Sequence, residues 1–122
     1  MALVCRGLRG ATTAQDNTRE AILEATRELL EHLVEANDLK TDDLAATFFT
    51  TSPDLNSEYP AVAARQMGWE YVPLICGHEM NLPTGLPLCI RVMVLVNTEK
   101  RPEEITHVYL RDAKDLRSHG IN

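Results

Sequence analysis

The run LCIRVMVLVN (Leu88–Asn97) carries a single charge, Arg91, in a stretch otherwise built like a protein interior. A guanidinium does not shed its proton, and a buried charge deprived of its partner costs about 3–5 kcal/mol. Arg91 therefore requires an anion, supplied by the protein or by something it binds. Arg9 makes the same demand from LVCRGLRGATTA (Leu3–Ala14), where apolar and glycine residues frame it. A lone arginine in a strand more often pairs with an internal carboxylate, here Glu79, or reaches an edge. Two of them, with Arg65 in YPAVAARQMG (Tyr59–Gly68), move the balance towards an anionic ligand, because guanidinium forks match carboxylate and phosphate geometry.

The remaining reactive types add little to that chemistry. Glu79 follows a strand beside His78 and serves either as a general acid or as a plain surface carboxylate. Tyr109 in HVYL either donates a hydrogen bond or fills core. Cys76 has no base at a recognisable spacing, so nucleophilic catalysis is not supported. His32, His78, His107 and His119 show no HxxxH or HxH spacing, which argues against zinc. GxSxG, P-loop and GxGxxG motifs are absent. Arginines near strands without general bases suit a reaction that needs charge stabilisation rather than proton transfer.

Composition narrows the setting. The 122 residues are 44% hydrophobic and 25% charged, the profile of one soluble domain. Twelve Lys and Arg against eighteen Asp and Glu give a net charge of −6, with no basic run for nucleic acid or an anionic membrane. The acidic excess falls largely on Glu20–Asp43, a solvated helix face. Cys5, Cys76 and Cys89 lack metal or CxxC spacing and read as reduced thiols of a cytoplasmic protein. The first ten residues carry no apolar leader, and the run Val92–Val96 is far too short to span a bilayer.

The elements that must position these residues follow from periodicity. Leu3–Ala14 reads as a strand whose glycines, Gly7 and Gly10, mark a bulge or a close approach. Asp16–Asp38 is the clearest helix, with Asn17 and Glu20 as a capping-box-like start, Ile22, Ala25, Leu29, Leu30 and Leu33 as its apolar stripe, and Asn37 as its stop. Thr41–Leu44 forms a short turn and Leu44–Ser52 a strand. Tyr59–Gly68 is a short helix with Pro60 at its first position, and Trp69–Cys76 is the third strand. Strand alternation in Leu88–Asn97 puts Cys89, Arg91, Met93 and Leu95 on one face, with Ile90, Val92, Val94 and Val96 on the other. Arg101–Thr106 turns the chain into a fifth strand, His107–Leu110, and Arg111–Asn122 is polar and weakly specified. The order β-α-β-α-β-β-β gives an α/β or α+β domain over residues 1–122, a five-stranded mixed sheet with helices on its outer face. Two helices cannot cover both faces, so a symmetric oligomer is the natural cover for the other.

RGATT (Arg9–Thr13), SPDLNSEYPAVAARQ (Ser52–Gln66), VPLICGHEM (Val72–Met80), CIRVMVLVNT (Cys89–Thr98) and HVYLRDAKDLR (His107–Arg117) together resemble the monofunctional chorismate mutases of the AroH class, in colinear order over residues 3 to 117. The resemblance implies a pseudo-α/β-barrel homotrimer with active sites between subunits. It also implies a cofactor-free, metal-free rearrangement of chorismate to prephenate in aromatic amino-acid biosynthesis. By motif position, Arg91 meets the ether oxygen and a carboxylate. Arg9 holds carboxylate with Tyr109 beside it, and Glu79 and Cys76 face the ring hydroxyl. Tyr59 and Arg65 form a cleft edge, Leu74 and Ile75 line it, and Leu116 and Arg117 belong to a closing C-terminal segment, with 118–122 as a mobile tail. Tyr59 stands where the family pattern has Phe, and the chain ends SHGIN where the family often continues with a proline and a longer tail.

Two other readings use the same arginines. A trimeric reactive-imine deaminase would activate water on an imine, and a non-catalytic module would only bind aromatic-pathway metabolites. Glu79 and Cys76 beside Arg91 favour the mutase over the deaminase, and intact Arg9 and Arg91 count against a mere binder.

Overall fold

The structure is a computed structural model and describes residues 2–116. Arg117 and the 118–122 tail lie outside the described residues. Five strands form one mixed sheet: β1 (Val4–Thr13), β2 (Leu44–Thr51), β3 (Leu74–His78), β4 (Cys89–Thr98) and β5 (Val108–Tyr109), in the order β3-β2-β4-β1-β5. β4 pairs antiparallel with β1 and β2, while β3 and β5 add as parallel edges. The helices α1 (Arg19–Asn37) and α2 (Ala61–Gln66) pack on the same face.

The apolar stripe of α1 explains that layer. Leu29, Leu30 and Leu33 are fully buried against Leu8, Val92, Val94 and Phe49, with Ala64 and Trp69 closing the same core. Alternation along β4 holds as read: Ile90, Val92, Val94 and Val96 are buried under the helices, whereas Arg91, Met93 and Leu95 are half-buried on the opposite face. Among the described residues, that opposite face is covered near Ala11 and Cys89, by Ala113 and Leu116. Elsewhere it leaves Phe48 and Ile75 exposed as ladder partners, at 43% and 59%.

Several boundaries differ from the sequence reading. Thr18, not Asn17, caps α1, its hydroxyl accepting the Ala21 N–H at 3.2 Å. Asn17 instead bridges to the loop beyond β2, its side-chain oxygen accepting the N–H groups of Asn56 and Ser57. Asn37 is the last helical residue, and Asp38 takes the left-handed cap at φ 50°. Pro60 caps the short helix rather than opening it.

The third strand begins at Leu74 rather than Trp69. Arg65 draws the carbonyls of Trp69, Glu70 and Val72 onto its guanidinium and so keeps that segment out of the ladder. The fifth strand shrinks to two residues, because the N–H of Arg9 bonds the ring of His107 at 3.0 Å in place of a backbone carbonyl. Arg111–Asp115, read as weakly specified, is a 3-10 helix whose Ala113 is fully buried.

Candidate active site

Register places the arginines. Ala11 faces Arg91 and Arg9 faces Met93 across β1 and β4, so Arg9 and Arg91 are diagonal neighbours on the face without helices. Tyr109 pairs with Ala11 from β5 and shares that face. Its hydroxyl is buried with no hydrogen-bond partner among the described residues.

Glu79 arrives from the end of β3. Its N–H bonds the Thr51 carbonyl at 2.8 Å, which fixes its backbone beside β2. One carboxylate oxygen, Oε2, accepts the Thr50 hydroxyl and lies 3.6 Å from Nε of Arg91. The pair is about a quarter to a third exposed, so it sits at a wall rather than in the core. Glu79, Arg91, Cys89 and Leu116 line a cleft of about 640 Å³ with Met80 and Leu82, a size suited to a small organic anion. Burial pushes the Cys89 thiol up, and the neighbouring Arg91 pulls against that rise.

The cleft floor is tied down by a polar knot. The Asp54 carboxylate accepts the Leu88 N–H at 3.0 and 3.2 Å and the Ser52 hydroxyl, while Ser52 Oγ accepts the Cys89 N–H at 2.8 Å. Leu88 holds φ at 53° there, at the entry to the strand that carries Arg91.

A second cleft, about 390 Å³, lies at the same ends of β2 and β3, bordered by Thr51 and His78, and is lined also by Tyr59, Pro60 and Cys76. Tyr59 is 68% exposed. Glu58 beside it is held below the usual carboxylate range, chiefly by the Tyr59 N–H and also by Arg19. Cys76 shares the Phe49 register on the helix side, and burial raises its thiol. Leu74 packs inward against the core, whereas Ile75 points outward beside Phe48.

The sequence-derived site therefore splits. Arg91, Glu79 and Leu116 share the larger cleft, with Arg9 and Tyr109 on the same face, while Tyr59 and Cys76 line the smaller one. Cys76 and Glu79 do not share a cleft within one chain. The Arg65 guanidinium serves backbone carbonyls and lines neither cleft. Arg117 lies outside the described residues. Sequence reasoning missed Thr50 and the Ser52–Asp54 knot. Both depend on pairing between segments far apart in the chain, which no local pattern displays. Among the described residues no three His, Cys, Asp or Glu side chains converge as metal ligands, and no helix is long and apolar enough to cross a membrane.

A family model described as chorismate mutase type I matches residues 5–119. The chain belongs to that family. Chorismate mutase AroH of Thermus thermophilus is 49% identical over 113 residues, covering 92% of this chain and 93% of the relative. The protein of the same name from Bacillus subtilis is 43% identical over 116 residues, covering 94% and 91%. A solved chorismate mutase from Clostridium thermocellum superposes with a TM-score of 0.88 at 46% identity, over 89% of this chain and 97% of that one. This chorismate mutase is thus an isomerase that converts chorismate to prephenate, within aromatic amino-acid biosynthesis. Neither the deaminase nor the non-catalytic module gains support from these matches.

Proposed function

We propose that the rearrangement is driven by electrostatic stabilisation on the open sheet face of a homotrimer, with Arg91 as its principal charge. The ether carbon–oxygen bond of chorismate breaks as a carbon–carbon bond forms within the same molecule, and negative charge gathers on the ether oxygen. No proton needs to move. A guanidinium already in place for that oxygen acts more strongly on the transition state than on the ground state, which is the condition for raising kcat. Such a preorganised donor contributes about 3–4 kcal/mol, a large part of the roughly 8 kcal/mol at the low end of enzymatic accelerations.

The observation that carries this reading is the half-buried Arg91 on the wall of the 640 Å³ cleft, 3.6 Å from a Glu79 carboxylate that Thr50 also engages. Glu79 accepts from the ring hydroxyl and offsets the cationic wall. Arg9 takes a substrate carboxylate with Tyr109 beside it, and Leu116 closes the apolar side. The second wall, with Tyr59, Cys76 and Ile75, comes from the neighbouring subunit, whose smaller cleft stands separate from Arg91 in a single chain. Arg65 supports that wall by holding the turn that leads to Leu74. A compact chorismate conformer held between the two walls gains the orientation effect. The enzyme is placed in the cytoplasm, in keeping with three free cysteines.

Replacing Arg91 by citrulline keeps shape and removes charge. Loss of chorismate absorbance in the ultraviolet should slow by a factor of about 100–1,000 in kcat, with only a modest loss of prephenate affinity by calorimetry. Equal losses in turnover and product binding would make Arg91 a binding group and reject the electrostatic role.

A further inference from the structure

We propose that Thr50 is a positioning residue for the rearrangement: its hydroxyl holds one oxygen of Glu79 and so presents the other to the substrate. The inference rests on the role given to Glu79 above. Thr50 faces Arg91 directly across β2 and β4, and its neighbour in β3 is Gly77, two residues before Glu79. The Glu79 backbone is fixed by its N–H bond to Thr51, but its side chain projects from a strand end with its rotors free to turn on a half-open face. Ordering such a side chain at the moment of reaction costs conformational entropy.

Thr50 removes that freedom beforehand. Its β-branched side chain is stiff at χ1, and its hydroxyl donates to Oε2, the oxygen that also lies 3.6 Å from Arg91 Nε. Oε1 has no such contact among the described residues. The arrangement gives the two oxygens different tasks. Oε2 is held against the enzyme by a charge-assisted bond, and Oε1 is turned into the cleft to accept from a substrate hydroxyl. Gly77, with open space where a Cβ would stand, keeps the approach from β3 unobstructed.

A double-mutant cycle tests the assignment, with rates followed by chorismate absorbance at enzyme concentrations high enough to observe the slowest variant. Thr50→Val, matched in shape, should lower kcat/KM about tenfold, the order of one hydrogen bond to a charged group, mainly through kcat. Thr50→Ser should remain within about twofold of the parent, because the hydroxyl is restored. In a Glu79→Ala background, Thr50→Val should change the rate less than about twofold further, since no carboxylate remains to be aimed. The same tenfold loss in both backgrounds, or no rescue by serine, overturns the inference while leaving Glu79 in place. Full activity of Glu79→Ala removes the role of Glu79 itself, and that of Thr50 with it. Should Thr50→Val fail to give native far-ultraviolet circular dichroism, Thr50→Ala enters the cycle in its stead.

Discussion

At the scale of single residues, the arginines show what a sequence can and cannot tell. Arg9 and Arg91 were legible because a strand alternates and a charge in an apolar run stands out. Arg65 carried the same signal in type, yet its partners are three carbonyls within seven residues of it, which no charge pattern reveals. Asn37 was read only as a helix stop. Its buried amide in fact donates to the carbonyls of Leu33 and Thr106 at 3.0 and 2.9 Å and accepts the Thr106 N–H at 2.8 Å. It thereby docks the segment that delivers His107 to Arg9 and Tyr109 to the open face. Asn37→Ala strands both backbone groups of Thr106, so denaturant unfolding should show a loss of about 2–3 kcal/mol. A loss below about 0.5 kcal/mol would mean that water satisfies Thr106 without the amide.

Among the elements, periodicity placed α1 and β4 well, because each has a long stripe with one buried side. It did less well where the chain is held by cross-links: β3 starts five residues late and β5 is cut short by a side chain standing in for a backbone acceptor. Gly10 belongs to this scale. A glycine inside β1 announced a close approach, and the approaching group is α1. A Cβ at Gly10 would stand 3.0 Å from Leu29, 3.1 Å from Leu33 and 3.2 Å from Val92. These are fully or almost fully buried side chains with little room to yield. Gly10→Ala should therefore lift α1 off the sheet and destabilise the fold by about 1–3 kcal/mol. Gly7→Ala offers the control, since its added Cβ meets the flexible end of Met93 on the open face. Thermal unfolding should separate the two variants, and equal melting temperatures would show that the helix seat is looser than these contacts require.

For the molecule as a whole, the decisive feature is the asymmetry of the sheet. One face is sealed by both helices. The other carries the arginines on β1 and β4 and exposes Phe48 and Ile75 in the same row as Met93 and Arg9. An aromatic and an aliphatic side chain left in water each forgo about 1.5–3 kcal/mol of burial, and a closed symmetric ring recovers that from every subunit. The same closure would bring the smaller cleft of one subunit to the larger cleft of the next, so assembly and activity become one property. Phe48→Glu tests this, because Phe48 lines neither cleft and faces outward, where a carboxylate is harmless to an isolated chain but costly between subunits. Sedimentation equilibrium should show the proposed trimer shifted to monomer, with far-ultraviolet circular dichroism unchanged. Chorismate turnover should fall in proportion to the trimer lost and recover as protein concentration rises. A folded Phe48→Glu monomer with full activity would show that one chain builds the whole site, and the shared cleft would have to be abandoned.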